Sequence, residues 1–361
     1  MVPSSRVTPA HRFPPPEKCA LLAELAARCG GSLEIKSAAS QVDYALPSHA
    51  AAELVDFLQP YASLRFGPRS VAVLPGGRVV GPGIVLAPDG RTLARDVSVD
   101  FGKGPDEHWL LASSNIKPAQ SIAGPTAVIA SALGSGYSHW LLDELPRLLT
   151  LGGVGFGTLI AHAAPPFSRA ALQLHGYAGA LVEPGRYTHF QCETLFVPSL
   201  VGEVGHPTPE TTRLLTEFAT PLFQTTAPFG ERLYLTRANA RRRRIANEAA
   251  LWSTLEAAGF VQLALETLTW PEQINAFRHA KVVVAPHGAG LANLVFCPPG
   301  TKVVELFNRS YVHWTYWQLA ALQGLDYRPI VAPGGEPLSH TMASNRLDIV
   351  ADLAQVRASL R

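Results

Sequence analysis

The chain has 361 residues, room for two domains, and its 47% apolar and 16% charged content excludes a disordered or low-complexity protein. A net charge of +2 gives no ground for a nucleic-acid partner, so an anion site must come from local arginine placement. No apolar run reaches membrane-span length, and the four cysteines (Cys19, Cys29, Cys192 and Cys297) form neither a CxxC pair nor a zinc-type cluster. Reduced thiols and a cytoplasmic location are expected, with at most a peripheral membrane association.

Residues 1–16, ending in Pro14, Pro15 and Pro16, are expected to be a flexible leader without a signal peptide's apolar core. KCALLAELAARCG (18–30) and SHAAAELVDFLQ (48–59) have helical apolar spacing. From about 70 to 100 come short apolar or alternating runs, with Gly76-Gly77 and Asp89-Gly90 between some of them. They predict β-hairpins.

Strands and helices then alternate. TAVIAS, TLIAH and LFVPSL read as strands, YSHWLLDELPRLLTL and PTPETTRLLTEFATPLF as helices, and TTAPFG (225–230) as a linker. The next half is more regular. ERLYLTR, FVQLAL, KVVVAP and TKVVELF are strand patterns. ANEAALWSTLEAAG is a helix with Asn247 placed to cap it. TWPEQINAFRHA is a helix opened by a Thr269–Glu272 capping box. LDIVADLAQVRASL predicts a C-terminal amphipathic helix. Buried-type strands alternating with helices predict an α/β fold with a parallel sheet. The expected division is 17–225 for an N-terminal, acceptor-side domain, 226–345 for a nucleotide-binding domain, and 346–361 for the last helix.

Four segments bear chemistry. In the first, a strand runs into Pro286, His287, Gly288, Ala289 and Gly290, then into a short helical stretch. The glycines would let a ligand approach the backbone, and a helix start suits a phosphate. A plain tight turn is nearly as good a reading, since neither GxGxxG nor a Walker sequence is present. In the second, Arg237 ends a strand and Arg241, Arg242, Arg243 and Arg244 follow. Arginine binds phosphate oxygens bidentately, and one or two of the four should touch a diphosphate while the others stay solvated.

In the third, His139 and Asp143 are four apart and would share a helix face as a proton-accepting pair. The bland alternative stacks His139 on an apolar face and leaves Asp143 and Glu144 solvated. Pro146 would kink that helix or start a new one. In the fourth, Glu305 ends a strand, where a carboxylate would accept ribose hydroxyls or simply make a salt bridge.

In their order and spacing these segments resemble glycosyltransferase family 61. The resemblance rests on Tyr234-x-Thr236-Arg237, Arg244-Ile-x-Asn247-Glu248, Gly259-Phe260, Glu272-Gln-Ile274 and Pro286-His-Gly-Ala-Gly-Leu-x-Asn293. Upstream, His139-Trp140, Asp143 and Leu145-Pro146-Arg147 match the family's first block. The match covers about 137–307, with Thr236 where Ser is common and nothing alignable before Ser70.

The resemblance implies a GT-B-like fold, two Rossmann-like domains facing across a cleft, here with extra N-terminal β-hairpins. It implies an inverting, metal-independent transfer from a nucleotide sugar, a UDP-sugar being the expected donor, to a glycan or other hydroxyl acceptor, with no separate cofactor. Asp143 and His139 are then the expected base. Arg237, Arg243, Arg244, His287, Gly288, Ala289, Gly290, Asn293 and Glu305 are the expected donor site. A bacterial, capsular-polysaccharide role is expected. A catalytically silent nucleotide-sugar binder and a Rossmann oxidoreductase are the rival readings, the latter disfavoured by the missing GxGxxG.

Overall fold

The computed structural model describes residues 13–100, 107–113 and 116–361. Most of the expected leader, residues 1–12, therefore lies outside the described residues. The chain forms two compact units. One comprises Met1–Ala38, Pro68–Ser135 and Asp143–Leu200, and the other Ala39–Gly67, Gly136–Leu142 and Val201–Arg361.

The first unit is built on a ten-stranded mixed sheet. Its hairpin part, Arg78–Val80, Ile84–Leu86 and Thr92–Ala94, pairs antiparallel, with Asp89-Gly90 in the last turn as predicted. No hairpin forms at Gly76-Gly77, because Arg69–Pro75 pairs with Ser32–Ser37 and His189–Pro198 instead of Arg78–Val80. Gly76 and Gly90 adopt φ of +69° and +73°, left-handed conformations that suit glycine. The other part is parallel: His189–Pro198 beside Gln120–Val128, then Thr158–Ile160, then Ala180–Val182. Ala72, Leu74, Val128, Ile160, Leu195 and Val197 are buried between this sheet and its cover. The helix expected over 18–30 is only Leu22–Arg28. Lys18–Ala20 pairs with Thr92–Ala94 instead, and Leu22 N–H donates to Asp96 Oδ1 at 2.8 Å; sheet pairing outweighs helical spacing there.

The second unit holds a five-stranded sheet in the order Val261–Leu263, Arg232–Leu235, Val282–Pro286, Lys302–Phe307, Asp326–Val331. Every pair is parallel, as predicted, and all of Val282–Pro286 is buried, as a strand covered on both faces must be. Helices Glu248–Glu256, Trp270–Arg278 and Thr315–Gln323 connect or cover it. The Thr269–Glu272 capping box forms.

Asn247 sits at the N-cap position but does not cap; its amide bonds Ala351 O and Ala351 N–H. The C-terminal helix is Leu353–Ser359, shorter than its apolar pattern. Asp352 caps it through Ala354 and Gln355 N–H, and Ile349 is drawn into a parallel bridge with Ile245. Segment 39–67 joins this unit through Tyr44 Oη to Pro207 O and Trp317 Nε1 to Ala45 O.

All four cysteines are free thiols. Among the described residues, no helix is long and apolar enough to cross a membrane, and no group of three or more His, Cys, Asp or Glu could hold a metal ion.

Candidate functional site

The order of the second sheet fixes where a ligand can sit. From Arg232–Leu235 the chain moves to one side, to Val261–Leu263, and from Val282–Pro286 it moves to the other. In open parallel sheets the loops after two such adjacent strands diverge and leave a crevice at their carboxyl ends. Arg237 follows the first strand by two residues and His287 follows the second by one. Tyr234 Oη and Thr236 Oγ1 both donate to Glu248 Oε1, at 2.8 and 2.5 Å, tying the strand end to the next helix start. That bond explains the spacing of the Tyr-x-Thr-Arg and Asn-Glu motifs.

The glycines of PHGAG make room for the protein's own side chains. A β-carbon on Gly288 would strike the Arg237 guanidinium, and one on Gly290 would lie 2.6 Å from Leu265 Cδ1. Gly288 is extended, with φ of 177°, and neither glycine is in the left-handed region. Ala289 begins a 3-10 helix, Ala289–Phe296. Arg237 is half-buried, with Nη2 donating to Arg242 O at 3.0 Å.

The arginine run divides as its composition alone could not show. Arg241, Arg242 and Arg244 are exposed, and Arg244 pairs with Asp348 at 2.9 Å. Arg243 is half-buried and turns inward, its guanidinium 5.1 Å from the Tyr311 ring centroid. It is the one described non-glycine residue with positive φ, +54°, and its Nε is buried without a hydrogen-bond partner. Its charge and that of Arg237 bear on one another and on His287. Two guanidinium groups whose charges act on one another, one strained and partly unsatisfied, have the chemistry to hold an anion.

His287 is buried at the centre. Its Nδ1 lies 2.5 Å from Glu305 Oε1, and Tyr327 Oη donates to Glu305 Oε2 at 2.6 Å. Phe307, Tyr311, His313 and Tyr316 surround the ring, with centroids 5.2–5.7 Å away. Burial pushes the Glu305 carboxyl up to about 8. Burial, with positive charge from His313, Arg243 and Arg237, pushes His287 well below the usual histidine range. Shifts in these directions favour a neutral acid bonded to a neutral ring, an arrangement in which Glu305 O–H donates to Nδ1 and Nε2 carries the ring hydrogen. Glu305 is fully buried with both oxygens taken, so it acts on the site through His287.

Asn293 is fully buried and structural in its contacts. Its Oδ1 accepts from Tyr137 Oη at 2.5 Å, and its Nδ2 donates to Gly290 O and Gln273 Oε1. Tyr137 begins the helix that bears His139, so this bond sets that helix against the glycine loop. His139 groups with this unit; burial pushes His313 well below the usual histidine range, and charge on His340, His206 and His139 adds to it. Asp143 groups with the first unit.

The helix between them is a composite: α over Tyr137–His139, π over Trp140–Glu144, α again over Leu145–Thr150. Pro146 lacks the N–H, and its ring excludes the regular bond one turn back, which the wider π turn accommodates. Asp143 and Glu144 are buried, which rules out the bland alternative that leaves them solvated. Arg147 is buried too, donating to the carbonyls of Ile129, Ala130 and Pro198.

The structure thus gathers Arg237, Arg243, His287, Gly288, Ala289, Gly290, Asn293 and Glu305 in one unit, and turns Arg244 to Asp348. Sequence reasoning missed Tyr311, His313, Tyr316 and Tyr327. The first three had a signal to read: YVHWTYW (311–317) packs aromatic and histidine residues shortly after the Glu305 strand.

Residues 137–304 match the profile of a family described as Glycosyltransferase 61, just under half of the chain. A Beta-1,2-xylosyltransferase of Oryza sativa subsp. japonica is 38% identical over 63 residues, 18% of this chain and 12% of that protein. The Protein O-linked-mannose beta-1,4-N-acetylglucosaminyltransferase 2 of Mus musculus is 37% identical over 108 residues, 28% of this chain and 18% of its own. The EGF domain-specific O-linked N-acetylglucosamine transferase of Drosophila melanogaster is 33% identical over 98 residues, 26% and 18%. The chain spans less than a fifth of the length of these three relatives. The matches support glycosyltransferase family 61. The relatives are plant and animal proteins and lend no support to the bacterial, capsular type expected.

Proposed function

We propose that this chain is a glycosyltransferase whose second unit binds a nucleotide-sugar donor, UDP-linked, at the loops carrying Arg237 and His287. The observation that supports this reading most is Arg243, held in a left-handed conformation with a buried, unpartnered Nε beside Arg237. An anion with two phosphates satisfies both guanidinium groups and relieves their repulsion. Nε2–H of His287 adds a neutral donor.

Transfer follows from that placement. The acceptor oxygen bonds to the anomeric carbon as the bond from that carbon to the diphosphate oxygen breaks, with inversion. Negative charge grows on the leaving diphosphate, and preorganised donors of this kind are often the largest catalytic contribution. The arginines supply this stabilisation without a metal. The acceptor proton goes to a base. His139 is the first choice, because it falls in the same unit and its charge reaches His313. Asp143 is the second.

Calorimetric titration with UDP, alongside a transfer assay over UDP-sugars, tests the reading. UDP binds, Arg237→Ala and Arg243→Ala each weaken it by roughly 10- to 100-fold, as loss of a charge-assisted bond costs, and transfer falls with them. His139→Gln lowers turnover with UDP affinity kept. Absence of UDP binding removes the donor site from the proposal. UDP binding without transfer from any UDP-sugar leaves a nucleotide-sugar binder.

A further inference from the structure

The first unit has a cavity that the donor site does not use. Its volume is about 530 Å³, within the range of small-molecule sites, and it opens where three parallel strands end. Ala132 and Ser135 follow the strand Gln120–Val128, His162 follows Thr158–Ile160, and Glu183 directly follows Ala180–Val182. This is the geometry that collects ligand-binding loops in open α/β sheets.

A buried carboxylate fixes one of the lining residues, His162. Glu144, fully buried, accepts from Ser131 N at 2.7 Å, from Ser131 Oγ at 3.1 Å and from His162 Nδ1 at 2.7 Å. Gly134 leaves the space it needs, since a β-carbon there would collide with that carboxylate. His162 is therefore locked in one orientation, with Nε2 left for the cavity. Burial alone would lower its pKa, but the bond and charge of Glu144 outweigh burial and raise it. Glu183 is also fixed, its Oε2 accepting from Ala163 and Ala164 N–H at 2.8 and 3.0 Å. Trp109, 43% exposed, provides an aromatic wall, and Arg186 lies on the rim. A second cavity of about 290 Å³ shares Trp109 and Arg186 and continues past Tyr187.

An exposed indole beside a fixed imidazole, a fixed carboxylate and a guanidinium is a combination suited to sugars. A pyranose offers an apolar C–H face to stack and a rim of hydroxyls that both donate and accept. We propose that the first unit has a saccharide-binding site of its own, where a sugar ring stacks on Trp109 and its hydroxyls bond His162, Glu183 and Arg186. The adjoining cavity extends the site to more than one ring. The proposal stands independently of nucleotide binding in the second unit.

Saturation-transfer NMR on the full chain tests it, with the methyl glycosides of mannose, N-acetylglucosamine and xylose at millimolar concentration. At least one gives a signal that saturating UDP leaves unchanged. Trp109→Ala weakens that binding about tenfold, and Trp109→Phe restores part of it. His162→Ala weakens it as well. That variant leaves Glu144 short of a partner, so the exposed Trp109 variants carry the test if it fails to fold. UDP thermal stabilisation, read on the same samples, stays at the level of the unsubstituted chain in the Trp109 variants. No signal from any of the three glycosides, a signal that survives Trp109→Ala, or one that UDP abolishes, overturns the proposal.

Discussion

Gly288 and Arg237 compete for one volume: any side chain at 288 would strike the guanidinium that lies against its α-carbon. The glycine is needed for the arginine's position, and through it for the anion. Gly288→Ala should move the flexible end of Arg237 at little cost in stability and weaken UDP binding nearly as far as Arg237→Ala does. Calorimetry and a thermal melt on the two variants check this. A glycine needed only for a bare turn would leave UDP affinity unchanged when replaced.

Arg243 sets function against stability. Its φ of +54° suits glycine far better than alanine. Arg243→Gly should be more stable than Arg243→Ala by about 1–2 kcal/mol, while both lose nucleotide affinity alike. Denaturant unfolding of the two variants, with UDP titration, reads both effects.

Glu305 and His287 predict a response to alkali. The folded-state pKa of Glu305 is raised from 4.5 to about 8, so its contribution to stability is full below 4.5 and lost as pH rises through 8. Glu305→Gln keeps the neutral pattern, with its amide donating to His287 Nδ1 and its carbonyl accepting from Tyr327. It should remove the part of the fall in melting temperature that Glu305 contributes between pH 4.5 and 8. Tyr327→Phe removes the donor to Oε2 and should cost about 1–3 kcal/mol, the penalty for a buried acceptor left unmade.

The histidines act in the opposite direction. Burial pushes His206, His287, His313 and His340 below their ordinary 6.5. An unfolded chain takes up protons at these positions before the folded one does, so their contribution is full above 6.5 and is lost as pH falls below it. Melting temperature should drop between pH 6.5 and 5. His313→Asn, at the position touching both His287 and His340, should reduce that drop.

Much of the second unit was legible because its signals are local. The Thr269–Glu272 box, the apolar strand 282–286 and the turn after it each lie within a few residues of what they determine. The site was legible as a list of residue types and less so as geometry. Whether Arg243 or Arg244 turns inward depends on Asp348, a hundred residues on, and on a backbone angle that no arginine run advertises. Asn247 reads as a cap until Ala351 takes its amide. Glu144 reads as solvated because its partners, Ser131 and His162, are set by sheet order and by no motif.

The π turn at Trp140–Glu144 holds one residue more than an α-helical turn of the same rise would. Length in this segment is therefore as informative as identity. Removing a single residue from it would let the helix run regular and rotate the next turn by about 100°, swinging the Glu144 carboxylate away from Ser131 and His162. Among otherwise similar chains, a gap of one position at this point should be far less tolerated than a substitution, and any chain that has such a gap should also have lost the carboxylate, the histidine, or the glycine at 134 that makes room for them.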